Sequence, residues 1–246
     1  MSSAATGKVA LVTGASRGIG AAIATRLARD GFHVVVHYGN GEAEARAVCD
    51  LIKRSGGSAS LVQADLSARD GAERLIAGVS EPHIDVLVNN AGIAPFASID
   101  DMDVDSFDQL SAVNMRSVFF VTQKVLPRMR AGGRIVNLSS VVARTAFPGM
   151  PAYSATKGFV DVLTLHLAAE LGSRQITVNA VAPGVIETRL TTGLLENGGA
   201  EAVQSIQALA GIAGPERVSG VVSFLAGPDA AWTTGQVIDV SGGTKL

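Results

Sequence analysis

Tyr153 and Lys157 are the residues whose types and spacing most directly suggest chemistry. They stand four positions apart at the start of a helical stretch, so their side chains share one face of the predicted helix. A free phenol titrates near pH ~10 and is a poor acid–base group at neutral pH. A lysine ammonium one turn away favours the phenolate and lowers the phenol pKa toward the working range. The pair therefore predicts a tyrosine that transfers a proton, although this spacing also arises by chance on surface helices.

Other polar residues in suitable places make coincidence less plausible. Ser139 and Ser140 stand at the end of a predicted strand, and Asn114 lies early in a predicted helix. Strand ends and helix starts are where parallel α/β sheets present their functional side chains. We therefore treat Asn114, Ser139 and Ser140 as candidates that accompany Tyr153 and Lys157, without choosing between the two serines at this point.

A glycine-rich turn near the start of the chain predicts a nucleotide site. The first predicted strand leads into Gly14-Ala15-Ser16-Arg17-Gly18-Ile19-Gly20 and then into an apolar helix. Glycines let the backbone approach a pyrophosphate, whose charge is favoured by the free N–H groups at a helix start. The spacing is G-x-x-x-G-x-G rather than G-x-G-x-x-G, so the position between strand and helix carries the prediction.

The end of the second predicted strand favours NADP(H) over NAD(H). An acidic residue about 20 positions past the turn would bind a ribose 2′-hydroxyl and repel a 2′-phosphate. Here the segment reads His37-Tyr38-Gly39-Asn40, without an acid, and Arg17 offers a cation to a 2′-phosphate. Glu42 would permit NAD if it folded inward. We prefer to interpret it as a first-turn acid that stabilises the following helix.

Two later strand ends supply further candidate cofactor contacts. Asp65-Leu66 follows the third predicted strand, where the aspartate could meet an adenine amino group or simply form a turn. Asn89-Asn90-Ala91-Gly92 follows the fourth. Its small residues would let the backbone lie against a cofactor, and its asparagine side chains could brace neighbouring strands.

Short β-branched runs alternate with helical patterns along the whole chain, which is typical of a parallel sheet covered by helices on both faces. The predicted strands are Val9 to Thr13, His33 to His37, Ser60 to Ala64, Ile84 to Val88, Arg134 to Leu138, Ile176 to Val181 and Val237 to Val240. The predicted helices are Gly20 to Arg29, Glu42 to Arg54, Arg69 to Val79, Val113 to Met129, Tyr153 to Leu171 and Pro215 to Leu225. We predict an α/β fold, a single Rossmann-type doubly wound domain over residues 1–246. Thr188 to Ala213 has no clear period and is predicted to be a mobile lid.

Composition excludes several classes of protein. With 47% hydrophobic and 17% charged residues the chain is too apolar to be disordered, and its net charge of −2 draws it neither to nucleic acid nor to acidic membranes. No apolar run approaches the roughly 18 residues of a membrane span, and no secretory signal pattern is present. One cysteine, Cys49, fits a reducing cytosol, so we expect a cytoplasmic protein. The four histidines lack metal-ligand spacing, and no catalytic metal is expected.

Taken together, these motifs resemble the short-chain dehydrogenase/reductase family. The likeness runs from Lys8 to Gly243 and keeps the order and spacing of the family's motifs. They are the glycine-rich turn, Asn-Asn-Ala-Gly, a serine thirteen residues before Tyr153, Tyr153-x-x-x-Lys157, and Ala182-Pro183-Gly184.

The resemblance implies a role for each candidate residue. Tyr153 would donate the proton to a carbonyl oxygen during reduction or accept it during alcohol oxidation, and Ser140 would orient that oxygen. Ser139 is the weaker choice because strand alternation points it the other way. Lys157 would lower the Tyr153 pKa and bind the nicotinamide ribose, and Asn114 would hold a relay water. The nicotinamide amide would be seated by Pro183, Gly184, Val185, Ile186 and Thr188.

Within that family the chain is most similar to bacterial 3-oxoacyl-acyl carrier protein reductases, through the glycine-rich turn, residues 175–184 and Ser241-Gly242-Gly243. The implied substrate is a small carbonyl or alcohol compound, with or without a carrier protein. An acidic carrier would need a basic rim at the pocket, for which the candidates are Arg128, Arg130 and Arg174, although solvated helix ends explain them equally well.

Substrate identity is expected to lie in Val142 to Ala152 and Thr188 to Ala213, whose apolar residues include Phe147, Met150, Leu194 and Leu195. They suit an acyl chain, a ring ketone or a modest alcohol. Oxidation of a sugar, steroid or small alcohol by the same residues remains an alternative. A non-catalytic nicotinamide-binding regulator is a third, against which the intact Asn114, Ser140, Tyr153 and Lys157 set argues.

The two most apolar predicted helices suggest a homotetramer. Val113 to Met129 and Tyr153 to Leu171 carry apolar residues on more faces than one sheet can cover. The family resemblance implies a four-helix contact between copies of these helices and a second contact through the last strand, Val237 to Val240. Burial beneath Thr188 to Ala213 within one chain is the alternative.

Overall fold

Seven parallel strands form one sheet in the computed structural model, which describes residues 7–189, 191–196 and 199–245. The strand order is β3-β2-β1-β4-β5-β6-β7, and every neighbouring pair is parallel. All residues of β1 and β6 are buried, because helices cover both faces of a parallel sheet. The strands are β1 Val9–Val12, β2 His33–Tyr38, β3 Ser58–Gln63, β4 Val86–Asn89, β5 Arg134–Leu138, β6 Thr177–Pro183 and β7 Val237–Val240.

Nine α-helices lie within the described ranges. They are α1 Gly18–Arg29, α2 Glu42–Arg54, α3 Gly71–Gly78, α4 Val104–Ser111, α5 Ser117–Val125, α6 Pro151–Leu171, α7 Thr192–Leu195, α8 Gly199–Gln204 and α9 Pro215–Ala226. A π-helical turn, Ala112–Arg116, joins α4 to α5.

The helices divide between the two faces of the sheet. On one face Ile23 of α1, Ile52 of α2 and Leu225 of α9 pack in a single core. On the other, Leu75 of α3 and Val125 of α5 share a second core with the end of α6. The strands contribute alternate residues to each core, as their pleat requires. This arrangement confirms the doubly wound α/β fold.

The sheet reverses its winding direction at β1. β1 pairs with β2 on one side and with β4 on the other, while β3 lies at the edge. Such a switch point opens a crevice at the carboxyl ends of the strands, where open α/β sheets bind ligands. The glycine-rich turn follows β1 directly and therefore lies in this crevice.

One predicted helix is interrupted. The stretch Val113 to Met129 was expected to be continuous, but it consists of the π-helical turn, α5 and a 3₁₀ turn at Leu126–Arg128. Pro127 lacks an N–H group and ends the α-helical hydrogen bonding there. Helix α4 was not predicted from the sequence, because Leu110 is its only buried residue among those described. The segment predicted as a lid contains α7 and α8, and its mobility stays a prediction.

His37 locks the glycine-rich turn to the sheet. Its Nδ1 atom accepts a hydrogen bond from the Gly14 N–H at 3.0 Å, and its Nε2 atom donates to the Ala64 carbonyl at 3.0 Å. The ring is buried, and this burial lowers the His37 pKa to about 4, with the Ala64 hydrogen bond opposing the shift. The imidazole is therefore neutral at pH 7, and each ring nitrogen has a fixed role.

The His37 lock predicts a loss of stability in acid. The unfolded chain binds a proton at His37 near pH 6.5 and the folded chain only near pH 4, so stability falls as the pH drops through this window. The loss reaches about 3 kcal/mol by pH 4. His37→Asn keeps an acceptor for the Gly14 N–H but cannot titrate, so urea unfolding at pH 7 and pH 4 should show a smaller loss for this variant. Equal losses would contradict the lock.

Candidate active site

Ser140 and Tyr153 meet at the carboxyl edge of the sheet. Ser140 directly follows Ser139 beyond the end of β5, and Tyr153 lies in the first turn of α6, so the loop between them brings the two together. The Tyr153 side chain hydrogen-bonds to Ser140. The Ser140 hydroxyl also lies 3.5 Å from the Pro183 carbonyl and accepts from the Val142 N–H at 3.4 Å.

Ser139 points to the opposite side. It is buried, and its hydroxyl donates to the backbone carbonyl of Lys157 at 3.4 Å. The alternation along β5 therefore continues through Ser139 and Ser140. The geometry supports Ser140, not Ser139, as the serine beside the tyrosine.

Lys157 is buried one helical turn beyond Tyr153. Its Nζ atom donates to the Leu138 carbonyl at 2.7 Å and lies 5.6 Å from the centroid of the Tyr153 ring. Gly92 lies beside it, since a Cβ atom there would be in ordinary contact with Nζ at 3.8 Å. Burial lowers the Lys157 pKa to about 8, and the Asp161 charge opposes that shift. The side chain is thus mostly protonated at neutral pH.

Tyr153 shows the opposite pKa shift from the one that its spacing to Lys157 predicts. Burial raises the Tyr153 pKa to about 12, and the hydrogen bond to Ser140 only partly opposes this. The free-energy cost of removing water from a phenolate exceeds the stabilisation that the neighbouring groups give it. The prediction of a lowered Tyr153 pKa is therefore wrong for the chain by itself. At pH 7 Tyr153 is a neutral phenol, which is the protonation state that donates a proton.

Asn114 lies in the π-helical turn and is fully buried. Its Nδ2 atom donates to the Ile93 carbonyl at 2.9 Å and to the Thr156 hydroxyl at 3.2 Å, while its Oδ1 atom accepts from the Ile93 N–H at 2.9 Å. The side chain thereby fixes the segment after β4 against α6. Because the side chain is engaged, a relay water at this residue would have to use its backbone carbonyl.

The glycine-rich turn is closely packed and needs its glycines. Gly14 and Gly18 have φ of 63° and 54°, in the left-handed region. A Cβ atom on Gly20 would lie 2.3 Å from the Gly14 carbonyl oxygen, which leaves no space for any other residue. The Nδ2 atom of Asn90 donates to the Thr13 and Gly14 carbonyls at 2.8 and 3.0 Å. Asn90 thus clamps the turn, and Ala91 lies against Gly14.

The start of α1 fits a phosphate. Its N-cap residue, Arg17, makes no side-chain capping bond, and no acidic residue lies in the first turn. The free N–H groups of a helix start attract an anion, and the tight glycine backbone around them permits close approach. Ser16 lies near Gly41, and Ile19 packs against the core. The residues present therefore fit a dinucleotide pyrophosphate.

Thr188 faces this turn from the opposite side of the crevice. A Cβ atom on Gly18 would lie 3.5 Å from the Thr188 methyl group. Thr191 holds this segment by accepting from the Thr188 N–H and donating to the Ile186 carbonyl. Pro183 ends β6, and Gly184 packs against Ser241. The residues predicted to seat a nicotinamide therefore lie across the crevice from the pyrophosphate residues.

At the far end of the crevice, the positions that discriminate between cofactors lack an inward acid. Tyr38 ends β2, and Arg17 and Asn40 are exposed. Glu42 lies in the first turn of α2 and pairs with Arg46 at 2.6 Å, the helix role preferred above. Asp65 accepts from the Ser67 N–H and hydroxyl, and these bonds lower its pKa, so it forms a turn. Leu66 beside it is buried.

The C-terminal residues join the two segments expected to set substrate identity. Lys245 donates through its N–H to the Ile206 carbonyl and through Nζ to the Ala146 carbonyl. Its ammonium also lies 4.0 Å from the centroid of the Phe147 ring. Met150 is half-buried, and Leu194 and Leu195 lie in α7. The segments before Tyr153 and after Thr188 are thus physically connected.

The proposed basic rim lies elsewhere in the chain. Arg128 donates to the Val79 carbonyl at 2.9 Å and Arg174 to the Leu126 carbonyl at 2.7 Å. Arg130 follows the same 3₁₀ turn. All three lie where β5 and β6 begin, the edge opposite Tyr153. The prediction that they border the pocket is therefore wrong within one chain, because they are used at helix ends.

Several residues of the site were missed by the sequence analysis. Thr13 accepts at its hydroxyl from the Asn90 and Ala91 N–H groups, and Thr156 receives the bond from Asn114. His37 and Asp161 are the other two site residues that were not predicted. Thr13 and Thr156 could have been found from the sequence, because one follows β1 and the other directly precedes Lys157. The roles of His37 and Asp161 depend on tertiary neighbours.

Among the described residues, no group of three His, Cys, Asp or Glu side chains could hold a metal ion. None of the described helices is long and apolar enough to cross a membrane.

Comparison with known proteins identifies the family. A family model described as enoyl-(acyl carrier protein) reductase matches residues 14–245. A 3-oxoacyl-[acyl-carrier-protein] reductase of Synechocystis is 43% identical over 248 residues, covering 99% of both chains. The chain belongs to the short-chain dehydrogenase/reductase family. Versicolorin reductase of Emericella nidulans, a further relative, is 40% identical over 251 residues, which cover 96% of this chain and 95% of that one.

Solved structures of short-chain dehydrogenases/reductases agree with the whole fold. The angucycline C-6 ketoreductase LanV with bound NADP superposes with a TM-score of 0.95 at 39% identity and covers 100% of this chain and 98% of that one. LanV with NADP and rabelomycin gives a TM-score of 0.88 at 40% identity, with 98% and 97% covered. The chain is therefore an oxidoreductase of this family, and it is similar to 3-oxoacyl-acyl carrier protein reductases and to ketoreductases.

Proposed function

We propose that the protein is an NADP(H)-dependent reductase that converts a ketone into a secondary alcohol, with Tyr153 as the proton donor. The observation that carries this proposal is the meeting of Ser140, Tyr153 and Lys157 at the carboxyl edge of the sheet. The half-buried Tyr153 phenol is neutral and hydrogen-bonded to Ser140, and the buried, mostly protonated Lys157 ammonium lies 5.6 Å from the centroid of the Tyr153 ring. These are the states that reduction needs at neutral pH.

The chain's own groups would act on the carbonyl oxygen of the substrate. NADP(H), when bound, supplies the hydride. Ser140 donates a hydrogen bond to the oxygen and fixes its position, and Tyr153 gives up its proton as negative charge develops there. The resulting phenolate is stabilised by Ser140 and by the Lys157 ammonium. A relay through Lys157 and a water held by the backbone carbonyl of Asn114 would return a proton from solvent to Tyr153.

The cofactor is NADP(H). Arg17 is exposed beside the turn and available to a 2′-phosphate, Tyr38 stands where an acid would select NAD, and Glu42 is paired with Arg46. The similar ketoreductase LanV binds NADP in its solved structures. The arginine that can bind a phosphate and the lack of an acid at the end of β2 both favour NADP(H) over NAD(H).

The substrate class is a 3-oxoacyl thioester or a similar ketone. The relatives named above include a 3-oxoacyl-acyl carrier protein reductase and a versicolorin reductase, and LanV was solved with rabelomycin. The segment between Ser140 and Tyr153 offers Phe147 and Met150 to an apolar substrate.

We propose a cytoplasmic location and a single catalytic domain. We also propose that no carrier protein is required, because the three arginines that could contact one lie away from the pocket of their own chain.

A substrate screen tests this proposal directly. NADPH oxidation would be measured with acetoacetyl thioesters (free and carrier-bound), polycyclic aromatic ketones, quinones and sugars, and NADP reduction with the corresponding alcohols. We expect reduction to dominate at pH 7, because oxidation needs a Tyr153 phenolate and would be favoured in alkali. Turnover confined to alcohol oxidation at pH 7 would support the dehydrogenase alternative, and cofactor binding without any turnover would support the regulator.

The two serines after β5 and Tyr153 predict a matched set of kinetic effects. Tyr153→Phe removes the transferable proton but keeps the ring, so kcat should fall by about 10²–10⁴ while NADPH binding is nearly unchanged. Ser140→Ala should also lower kcat strongly. Ser139→Ala is the comparison, since its hydroxyl donates to the Lys157 backbone carbonyl on the side away from Tyr153, and it should lower kcat much less than Ser140→Ala does. Near-normal turnover in Tyr153→Phe would disprove the mechanism.

Cofactor selectivity is predicted to depend on Arg17. Arg17→Ala should weaken NADPH binding by about 1–3 kcal/mol and leave NADH binding almost unchanged, because only NADPH carries the 2′-phosphate. Fluorescence titration of both cofactors measures the two dissociation constants. Glu42→Gln serves as the control and should not improve NADH binding, since Glu42 is engaged by Arg46. Equal affinities for NADPH and NADH in the unmutated protein would contradict the assignment.

We propose that the protein assembles as a homotetramer. A hollow of about 530 Å³ lies between α4, α5 and α6 and is lined by Phe119, Phe120 and Phe159 together with charged residues that include Asp108 and Arg116. Apolar side chains are also exposed on these three helices. The exposed residues on these helices include Phe107, Phe119, Phe120, Val162 and Leu165. An exposed apolar surface of this kind is typical of an interface. A second contact is supported by the edge strand β7 and by Trp232, whose side chain is fully exposed.

Light scattering at micromolar concentration should give a mass about four times the 25.1 kDa of one chain. Phe120→Glu should reduce the mass to that of a dimer, because a charge within the helical contact is costly to bury. Ala47→Glu, at an exposed position of α2 on the other face of the sheet, serves as a surface-charge control. A mass near 25.1 kDa in the unmutated protein would refute both contacts.

A further inference from the structure

Asp161 lies on α6 one turn beyond Lys157 and is not among the residues that the proposed reaction uses. Its carboxylate is mostly shielded from solvent, with 15% of the side chain exposed. The Oδ1 atom of Asp161 is buried and has no hydrogen-bond partner among the described residues. Burying a carboxylate in this way costs free energy unless an opposite charge or a hydrogen bond compensates it.

The charged neighbours of Asp161 come from three elements. Lys157 lies on the same helix, and Arg144, in the segment after Ser140, places Nε 3.7 Å from Oδ2 of Asp161. Asp239 of β7 pairs with Arg144 at 2.5 Å. Burial, and to a smaller extent the Asp239 charge, raise the pKa of Asp161 above its usual value, while Ser139, Arg144 and Lys157 lower it, so these three groups stabilise the carboxylate.

The effect on Lys157 has one electrostatic source within the described chain. Lys157 is buried, and its ammonium donates to the Leu138 carbonyl, a neutral acceptor. Tyr153 on the same helix is neutral at pH 7. The Asp161 charge is the one that raises the Lys157 pKa and opposes the burial that lowers it.

We infer that Asp161 is a positioning residue that holds Lys157 in its protonated form and that Arg144 orients the Asp161 carboxylate for this task. The inference rests on the proposed role of Lys157 at the cofactor and the proton relay. It also connects the segment that carries substrate-facing residues to the lysine, because Arg144 lies between Ser140 and Phe147.

The test is the pH dependence of NADPH binding, measured by fluorescence from pH 6 to 10. Affinity should weaken as Lys157 loses its proton near pH 8, and Lys157→Met should abolish this transition, which identifies it. Asp161→Asn should move the midpoint down by about one pH unit, and Asp161→Glu should return it toward the original value. Asp239→Asn is the matched control. It removes the same charge from the other partner of Arg144 and should move the midpoint by less than half as much.

An unchanged midpoint in Asp161→Asn, or an equal shift in Asp239→Asn, would overturn the inference. If Asp161→Asn is too unstable to purify, the double variant with Lys157→Met should be more stable than the single one, because the uncompensated ammonium is gone. Absence of that rescue would also overturn it. A failure of this inference can be distinguished from a failure of the proposed function. A shifted midpoint without ketone turnover removes the reductase only, and normal turnover with an unmoved midpoint removes only the role of Asp161.

Discussion

The buried ammonium of Lys157 is the constraint on which the rest of the site depends. Shielding a cation from water costs several kcal/mol unless its donors are satisfied. Here the last residue of β5, Leu138, supplies the acceptor, so the position of the ammonium is fixed by where that strand ends. The end of β5 and the start of α6 are therefore arranged around one charge, and Gly92 in the turn after β4 lies beside it.

The same burial separates the protonation behaviour of the two groups on α6. Excluding water favours the neutral form of both, which raises the Tyr153 pKa and lowers that of Lys157. The phenol thus remains a proton donor across the neutral range, and the ammonium remains just within its charged range. Sequence spacing places the two side chains on one face but contains no information on how dry that face is. For this reason the direction of the tyrosine shift could not be predicted from the sequence.

Most of the fold was predictable, because it follows from local patterns. The bounds of β5, β7 and α2 agree with the prediction, and strand alternation correctly separated Ser140 from Ser139. The break between α4 and α5 was not predictable. It is fixed by the Asn114 bonds to Ile93 and Thr156, which are distant in sequence. His37 is a similar case, since its two partners, Gly14 and Ala64, are brought to it by neighbouring strands.

The position of β1 in the sheet has a consequence for how the chain folds during synthesis. β1, β2 and β3 pair in chain order through short helical crossovers, so this part can assemble as soon as it is made. The other side of β1 must wait for β4, since Ala10 pairs with Val86, 76 positions later (86 − 10). At ribosomal rates of about 5–20 residues per second, one edge of an apolar strand stays open for about 4–15 s. The shortness of β1, four residues, limits how firmly a wrong strand can pair there in that interval.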